Sequence, residues 1–202
     1  MSKGAQTRHQ ILDHASQLAS QVGVGGLTIG VLADDLHLSK SGLFRHFRSK
    51  EGLQVAVLDH AAESFAATVV RPALREPRGV PRMRALFERW LAWDRDGVLP
   101  GGCIFVAAAT EFDDQPGAAR DRLVELQHQW IDVLATSFLK GVEAGAFSPV
   151  ADPEQFTQDL YGIMLACHHH SRLLGDAAAE SRARRAFEAL LTAALPSTPT
   201  RT

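Results

Sequence analysis

The sequence predicts an all-α fold of about nine helices. Three observations predict it. Apolar residues recur at steps of three and four along most of the chain, the period of one buried helix face. Serine, threonine or aspartate stands ahead of several of these segments, and glycine or proline closes them. No segment alternates convincingly with the two-residue period of a strand, and no repeat or low-complexity linker interrupts the pattern.

The first helix is expected over residues 4–22, with Ile11, Ala15, Leu18 and Val22 as its inner stripe and Gly23 to Gly26 ending it. Thr28 is placed to cap a second, short helix in which Ile29, Leu32, Ala33 and Leu36 share a face. Leu38 and Ser39 break that pattern, and the Ser39 hydroxyl can accept from the free amides of a third helix over residues 40–46. Leu43 and Phe47 lie on the inner side of this helix. Its outer face carries Lys40, Ser41, Gly42, Arg45 and His46. Two short helices joined by a tight turn describe a helix-turn-helix. Small residues let such a helix approach a groove floor, while flanking cations reach phosphates. Ser49 can cap a fourth helix, whose free N-terminal amides and Lys50 make an anion-binding end. Leu53, Val57, Ala61 and Phe65 extend its stripe to about Val70, and Pro72, Pro77 and Gly79 close it.

The run LSKSGLFRHFRSKEGL, residues 38–53, resembles the recognition segment of TetR-family transcriptional regulators. Arg8, Ile11, Leu12, Ala15, Leu18, Gly23, Leu27 and Thr28 extend the resemblance upstream. It covers about the first sixty residues closely; beyond them it is one of helical layout. The resemblance implies a helix-turn-helix DNA-binding domain over residues 1–48 and a helical ligand-binding and dimerisation domain over 49–195, connected by the helix 49–70. Residues 196–202 are expected to form a disordered tail. It implies a homodimer, joined through the last two helices, on a palindromic double-stranded operator. A repressor that a small-molecule effector releases is the expected form. The DNA-facing set is Thr28, Ser39, Lys40, Ser41, Gly42, Phe44, Arg45, His46 and Lys50. Lys40, Ser41 and Gly42 are assigned to base edges, and Thr28, Arg45, His46 and Lys50 to phosphates. Three positions depart from the family pattern. His37 stands in the turn where glycine is usual, Phe44 replaces a tyrosine, and Gly42 replaces a larger residue.

Five more helices follow from about Val80 to Leu195. Pro81 opens the first, which carries Leu86, Trp90 and Trp93 and ends at Gly97 and the Pro100–Gly101–Gly102 cluster. Residues 103–112 are nearly all apolar, so this helix is expected to be central. Asp114, with Pro116 after it, is expected to cap a long helix carrying Leu123, Leu126, Trp130, Val133, Phe138 and Val142 and stopping at Gly145. Asp152, Pro153 and Gln155 form a capping-box start for a helix lined by Phe156, Leu160, Ile163, Met164 and Cys167. The last helix, about Ala178 to Leu195, sets Phe187, Leu190, Leu191 and Leu195 against Arg182, Arg184 and Arg185.

Within this half, Phe87, Trp90, Trp93, Phe105, Phe112, Trp130 and Met164 have the chemistry of either a packed core or an apolar ligand pocket. The resemblance implies that a pocket lies among these helices. Glu111, Cys103 and His168 are its polar candidates. Glu111 interrupts an apolar run and needs a partner if buried, and at a helix end it could equally face water. Cys103 follows two glycines at a helix start, which suits a redox or electrophile sensor, but its apolar neighbours favour a small buried side chain. His168, His169 and His170 invite a metal reading. Consecutive helical residues point about 100° apart, however, so three in a row cannot all reach one ion, and residues 164 and 171–174 add no ligand, so no metal is expected there.

The 202 residues, 46% hydrophobic and 22% charged, suit one or two compact domains. The net charge of -2 hides an asymmetry: residues 1–50 carry six cations against three carboxylates, so the basic end holds the groove helix. No apolar leader and no membrane-length apolar run are present, and two cysteines make no disulfide framework, so a cytoplasmic location is expected. No nucleophile elbow, P-loop, zinc-protease motif or dinucleotide turn occurs, so the chain is not expected to be an enzyme and no cofactor is expected. A rival reading is a dimeric DNA-binding protein with no effector, distinguished by whether any small molecule releases the DNA.

Overall fold

The computed structural model describes residues 3–95 and 99–196. Gly97 and residues 197–202 of the expected tail lie outside the described residues. Nine helices of eight residues or more and no strand occur among the described residues. They are α1 (Lys3–Val22), α2 (Ile29–Leu36), α3 (Lys40–Phe47), α4 (Lys50–Phe65), α5 (Val80–Arg95), α6 (Ile104–Phe112), α7 (Ala118–Glu143), α8 (Pro153–Arg172) and α9 (Ala179–Ala193). After α4 the chain runs on through a π turn, Ala66–Val70, and a last α turn, Arg71–Ala73. Pro72 has no N–H for the carbonyl four residues before it. That carbonyl, on Thr68, instead accepts from Arg89 at 3.4 Å.

The chain folds into two compact units. The first comprises Met1–Ala66 and Trp93–Gln127. Ile11, Leu12, Ala15 and Ala19 of α1 pack with Val24, Leu27, Leu32, Leu43, Phe47, Leu53, Val57 and Ala61, all buried. The expected α1 stripe is right at Ile11 and Ala15. Val22, however, is 50% exposed, because the buried arc moves through Leu12, Ser16 and Ala19 rather than Leu18. The α4 stripe Leu53, Val57, Ala61 and Phe65 is buried as expected.

Four polar contacts join residues 93–127 to the N-terminal helices. Gly101 N–H donates to Ser20 Oγ at 2.9 Å. Glu111 accepts from Gly25 N–H at 2.6 Å. Ala118 N–H donates to Glu51 at 2.5 Å. Arg122 Nε donates to Asp59 at 2.6 Å. The third overturns an expectation: α7 starts at Ala118, capped by Glu51 of α4, and the Asp114 amide instead donates to the Asp113 carboxylate at 2.9 Å. Gly101 is required sterically, since a Cβ there would stand 1.6 Å from the Ser20 carbonyl oxygen.

The second unit comprises Ala67–Ala92 and His128–Thr202. Phe87 of α5 stacks on Phe187 of α9 at 4.2 Å, and Phe138 stacks on both Phe147 and Phe156. Two ion pairs flank this contact, Arg84 with Glu188 and Arg184 with Glu88. The Arg84 guanidinium holds the Glu188 carboxyl below its ordinary value. Asp152 caps α8 by accepting from the Glu154 and Gln155 amides. The expected return bond is not made: Gln155 Nε2 donates instead to Asp159, one turn on, at 2.8 Å.

Candidate nucleic-acid interface

The α2–turn–α3 unit is assembled by local chemistry. Thr28 Oγ1 accepts from Val31 N–H at 3.1 Å and starts α2. His37 ends α2 in the left-handed region, at φ 54° and ψ 37°, the conformation that explains the family's preference for glycine there. Its N–H and that of Leu38 return to the Asp34 and Ala33 carbonyls. Ser39 Oγ accepts from Gly42 N–H at 3.2 Å and starts α3. Leu43 and Phe47 are buried beneath that helix.

This burial turns one face of α3 outward. Lys40, Ser41, Phe44, Arg45 and His46 are exposed, and Gly42 is half-buried beside Ser39. The Phe44 ring, 56% exposed, is an apolar group on an otherwise polar and cationic surface. Behind it the Arg8 guanidinium lies 5.6 Å from the Phe47 ring centroid, braced across α1 and α3. The His14 ring of α1 also meets the Asp35 carboxylate of α2. At the start of α4, Ser49 Oγ accepts from Gly52 N–H at 2.9 Å, and exposed Lys50 stands beside the helix N-terminus. Arg48, just before it, also takes a positive φ of 65°, which sharpens the turn out of α3 and was not anticipated from the sequence.

The candidate ligand residues fall in both units. In the first, Trp93 meets Phe65 edge-on at 5.3 Å and Phe105 meets the same ring at 5.9 Å. Phe65 was read only as a stripe residue, yet it is the centre of this cluster. Cys103 is buried at the start of α6, its amide donating to Asp94 at 2.9 Å. Burial pushes its thiol up to about 12, with the nearby Asp94 carboxylate adding to the shift. Glu111 is half-buried and holds Gly25. In the second unit Phe87, Trp90, Trp130 and Met164 are buried, Phe87 on Phe187, while His168 is half-buried. Asp94, Ser20 and Glu51 were not singled out from the sequence, because nothing local marks a side chain whose partner lies tens of residues away.

The chain matches the family model of the bacterial regulatory proteins of the tetR family over residues 11–57. It matches the tetracyclin repressor-like C-terminal domain over residues 79–187. Among curated proteins, the HTH-type transcriptional regulator TcmR of Streptomyces glaucescens is 31% identical over 120 residues. That match spans 58% of this chain and 52% of TcmR, so the chain spans about half the length of that relative. The HTH-type transcriptional repressor NemR of Escherichia coli strain K12 is 24% identical over 170 residues, 83% of this chain and 84% of NemR. A TetR transcriptional regulator from Chloroflexus aurantiacus superposes with a TM-score of 0.80 at 26% identity, covering 95% of this chain and 96% of that one. AibR, solved with isovaleryl coenzyme A and operator DNA, shares the fold with a TM-score of 0.71 at 20% identity, covering 95% of this chain and 100% of AibR.

Proposed function

Because the chain belongs to the TetR family of bacterial transcriptional regulators, we propose that it represses from a palindromic operator as a homodimer and leaves it when a small molecule binds. The observation that carries this reading is the α3 face, where Lys40, Ser41, Phe44, Arg45 and His46 stand exposed over buried Leu43 and Phe47. Lys40, Ser41 and the backbone at Gly42 approach base edges. The Phe44 ring offers apolar contact to a thymine methyl group, and Thr28, Arg45, His46 and Lys50 take phosphates. One short helix covers too little groove for tight binding; two reading heads about 34–36 Å apart engage successive major grooves.

The last two helices supply the dimer contact. On α8 the outward residues Gly162, Leu165, Ala166 and His169, continued by Leu173 at its C-cap, form one stripe, and on α9 Ala186, Ala189 and Ala193 form another. A Cβ at Gly162 would meet nothing within 4 Å, so this mid-helix glycine has no reason inside the chain. It costs roughly 1 kcal/mol of helix propensity and lets a second backbone approach closely.

For the effector, each unit by itself offers aromatic residues that favour an apolar or aromatic molecule, Trp93 and Phe105 in the first and Phe87, Trp90 and Trp130 with Met164 in the second. Cys103 and Glu111 are the polar candidates of the first unit and His168 that of the second. AibR was solved in complex with isovaleryl coenzyme A and operator DNA, so a protein of this fold holds an acyl thioester of that size. The signal reaches the reading head through the contacts that α6 and the head of α7 make with the α1–α2 loop and α4, Glu111 to Gly25 and Ala118 to Glu51. A ligand that binds one arrangement of α4 better than another shifts the separation of the two heads by that difference in affinity. No described helix is long and apolar enough to cross a membrane.

The experiment is a gel shift of the purified chain on the DNA flanking its own gene, with and without a panel of metabolites. A retarded band that one compound abolishes supports the reading. A band that no compound in a broad panel releases favours the effector-free rival. No band at low salt with a palindrome present contradicts operator binding.

A further inference from the structure

Two histidines and a carboxylate that DNA and effector binding leave unused converge where α1 meets α4. His9 and Asp13 lie one turn apart on α1, so they share a face, and His60 comes across from α4. His60 Nε2 stands 2.7 Å from Asp13 Oδ1, and His9 Nε2 stands 3.7 Å from the other oxygen, Oδ2. The two imidazole centroids are 4.7 Å apart with their planes at 76°. One donor atom from each residue falls within 4.8 Å of the other two, and no other group of three such residues does so among the described residues.

We propose that His9, Asp13 and His60 hold a divalent transition-metal ion of the zinc class, which clamps α1 to α4. Imidazole nitrogens and carboxylate oxygens bind zinc at about 2.0–2.2 Å, so ligands of one ion stand roughly 3–3.5 Å apart. The observed separations of 2.7 and 3.7 Å, one to each oxygen of the Asp13 carboxylate, lie on either side of that span, and all three donors fall within 4.8 Å of one another. Two imidazoles with a single carboxylate suit zinc and its neighbours, whereas calcium and magnesium require mainly oxygen donors. The His60 side chain is 10% exposed and anchors the inner side. His9 and Asp13, at 63% and 51%, leave an entry path and room for water in the remaining coordination positions. Asp59, one residue before His60, is held by Arg122 and does not compete. To bind the ion, His60 presents an unprotonated Nε2, with its ring proton on Nδ1. Sequence spacing gives only the His9–Asp13 half of this site; the third ligand comes from 47 residues downstream of Asp13.

The test is independent of DNA. The full-length chain, stripped with chelator, is titrated with Co²⁺ and then with Zn²⁺. About one Co²⁺ per chain is expected, with visible d–d absorption that Zn²⁺ displaces, and Zn²⁺ should raise the melting temperature because it binds only the folded chain. His60→Gln and Asp13→Asn should each weaken binding roughly tenfold or more while circular dichroism stays that of the parent. A His168→Gln/His169→Gln/His170→Gln triple variant should bind as the parent does. Unchanged affinity in both ligand variants, loss of binding in the triple variant, or no absorption with excess Co²⁺ would overturn the proposal.

Discussion

The Glu111 carboxylate at the end of α6 accepts a hydrogen bond of 2.6 Å from the backbone N–H of Gly25, in the loop between α1 and α2. A Cβ at Gly23 would fall 2.8 Å from the same carboxylate, so the loop closes tightly round it. The bond spans 86 residues and fastens a helix of the proposed sensing half to the base of the reading head.

Replacing Glu111 with alanine should therefore affect response more than recognition. A bond to a charged acceptor contributes about 1–2 kcal/mol at a half-buried site, so the fold should survive. Operator affinity without effector should stay within a few-fold of the parent, and the effector concentration needed for release should rise severalfold. Anisotropy titrations of labelled operator with and without the releasing compound separate the two. Equal loss of affinity and response would make Glu111 a structural residue only.

The reading head was largely legible in the sequence because its determinants are local. The caps Thr28, Ser39 and Ser49 each bond an amide three residues away, and Leu43 and Phe47 repeat one helical turn apart. The left-handed backbone at His37 lies where the family pattern usually has glycine. Contacts such as Glu111–Gly25 and Glu51–Ala118 were not legible, since no periodicity encodes which distant amide a carboxylate will meet. The cap of α7 illustrates this: Asp114 has the right residue type at the right distance, and the helix nevertheless takes its cap from α4.

His37 pays for the α2–α3 turn with a backbone conformation that a side chain disfavours. His37→Gly should raise stability by up to about 1 kcal/mol, because relief of the left-handed strain exceeds the extra freedom glycine gives the unfolded chain. Urea denaturation of the two proteins measures the difference. A lower midpoint for the glycine variant would show that the imidazole makes a compensating contact.

Gly101 presents the opposite case. A methyl group placed 1.6 Å from the Ser20 carbonyl oxygen must push α1 and the Pro100–Gly102 turn apart, and it endangers the Gly101–Ser20 hydrogen bond. Gly101→Ala should cost about 1–3 kcal/mol, the usual range for overpacking a tight contact. Its urea midpoint should fall, and an unchanged midpoint would mean the turn relaxes freely.

The Cys103 thiol, held near 12 by burial, is almost wholly protonated at neutral pH. Alkylation of the native chain at neutral pH should be much slower than that of a free thiol and should quicken in denaturant. Above the ordinary thiol value of about 8.5 the unfolded chain releases this proton first, so Cys103 makes stability fall as pH rises toward 12. Fast labelling of Cys103 at neutral pH, located by mass spectrometry, would restore it as a reactive sensor.

Operator affinity measured against salt concentration, for the parent and for Lys50→Ala and Arg45→Ala, tests most directly whether α3 and the start of α4 meet DNA. Each variant should bind more weakly and lose about one phosphate contact per subunit, lowering the log–log slope by about 0.9 per contact. Folded variants that keep both the parent's affinity and its slope would contradict the assignment of this face to DNA.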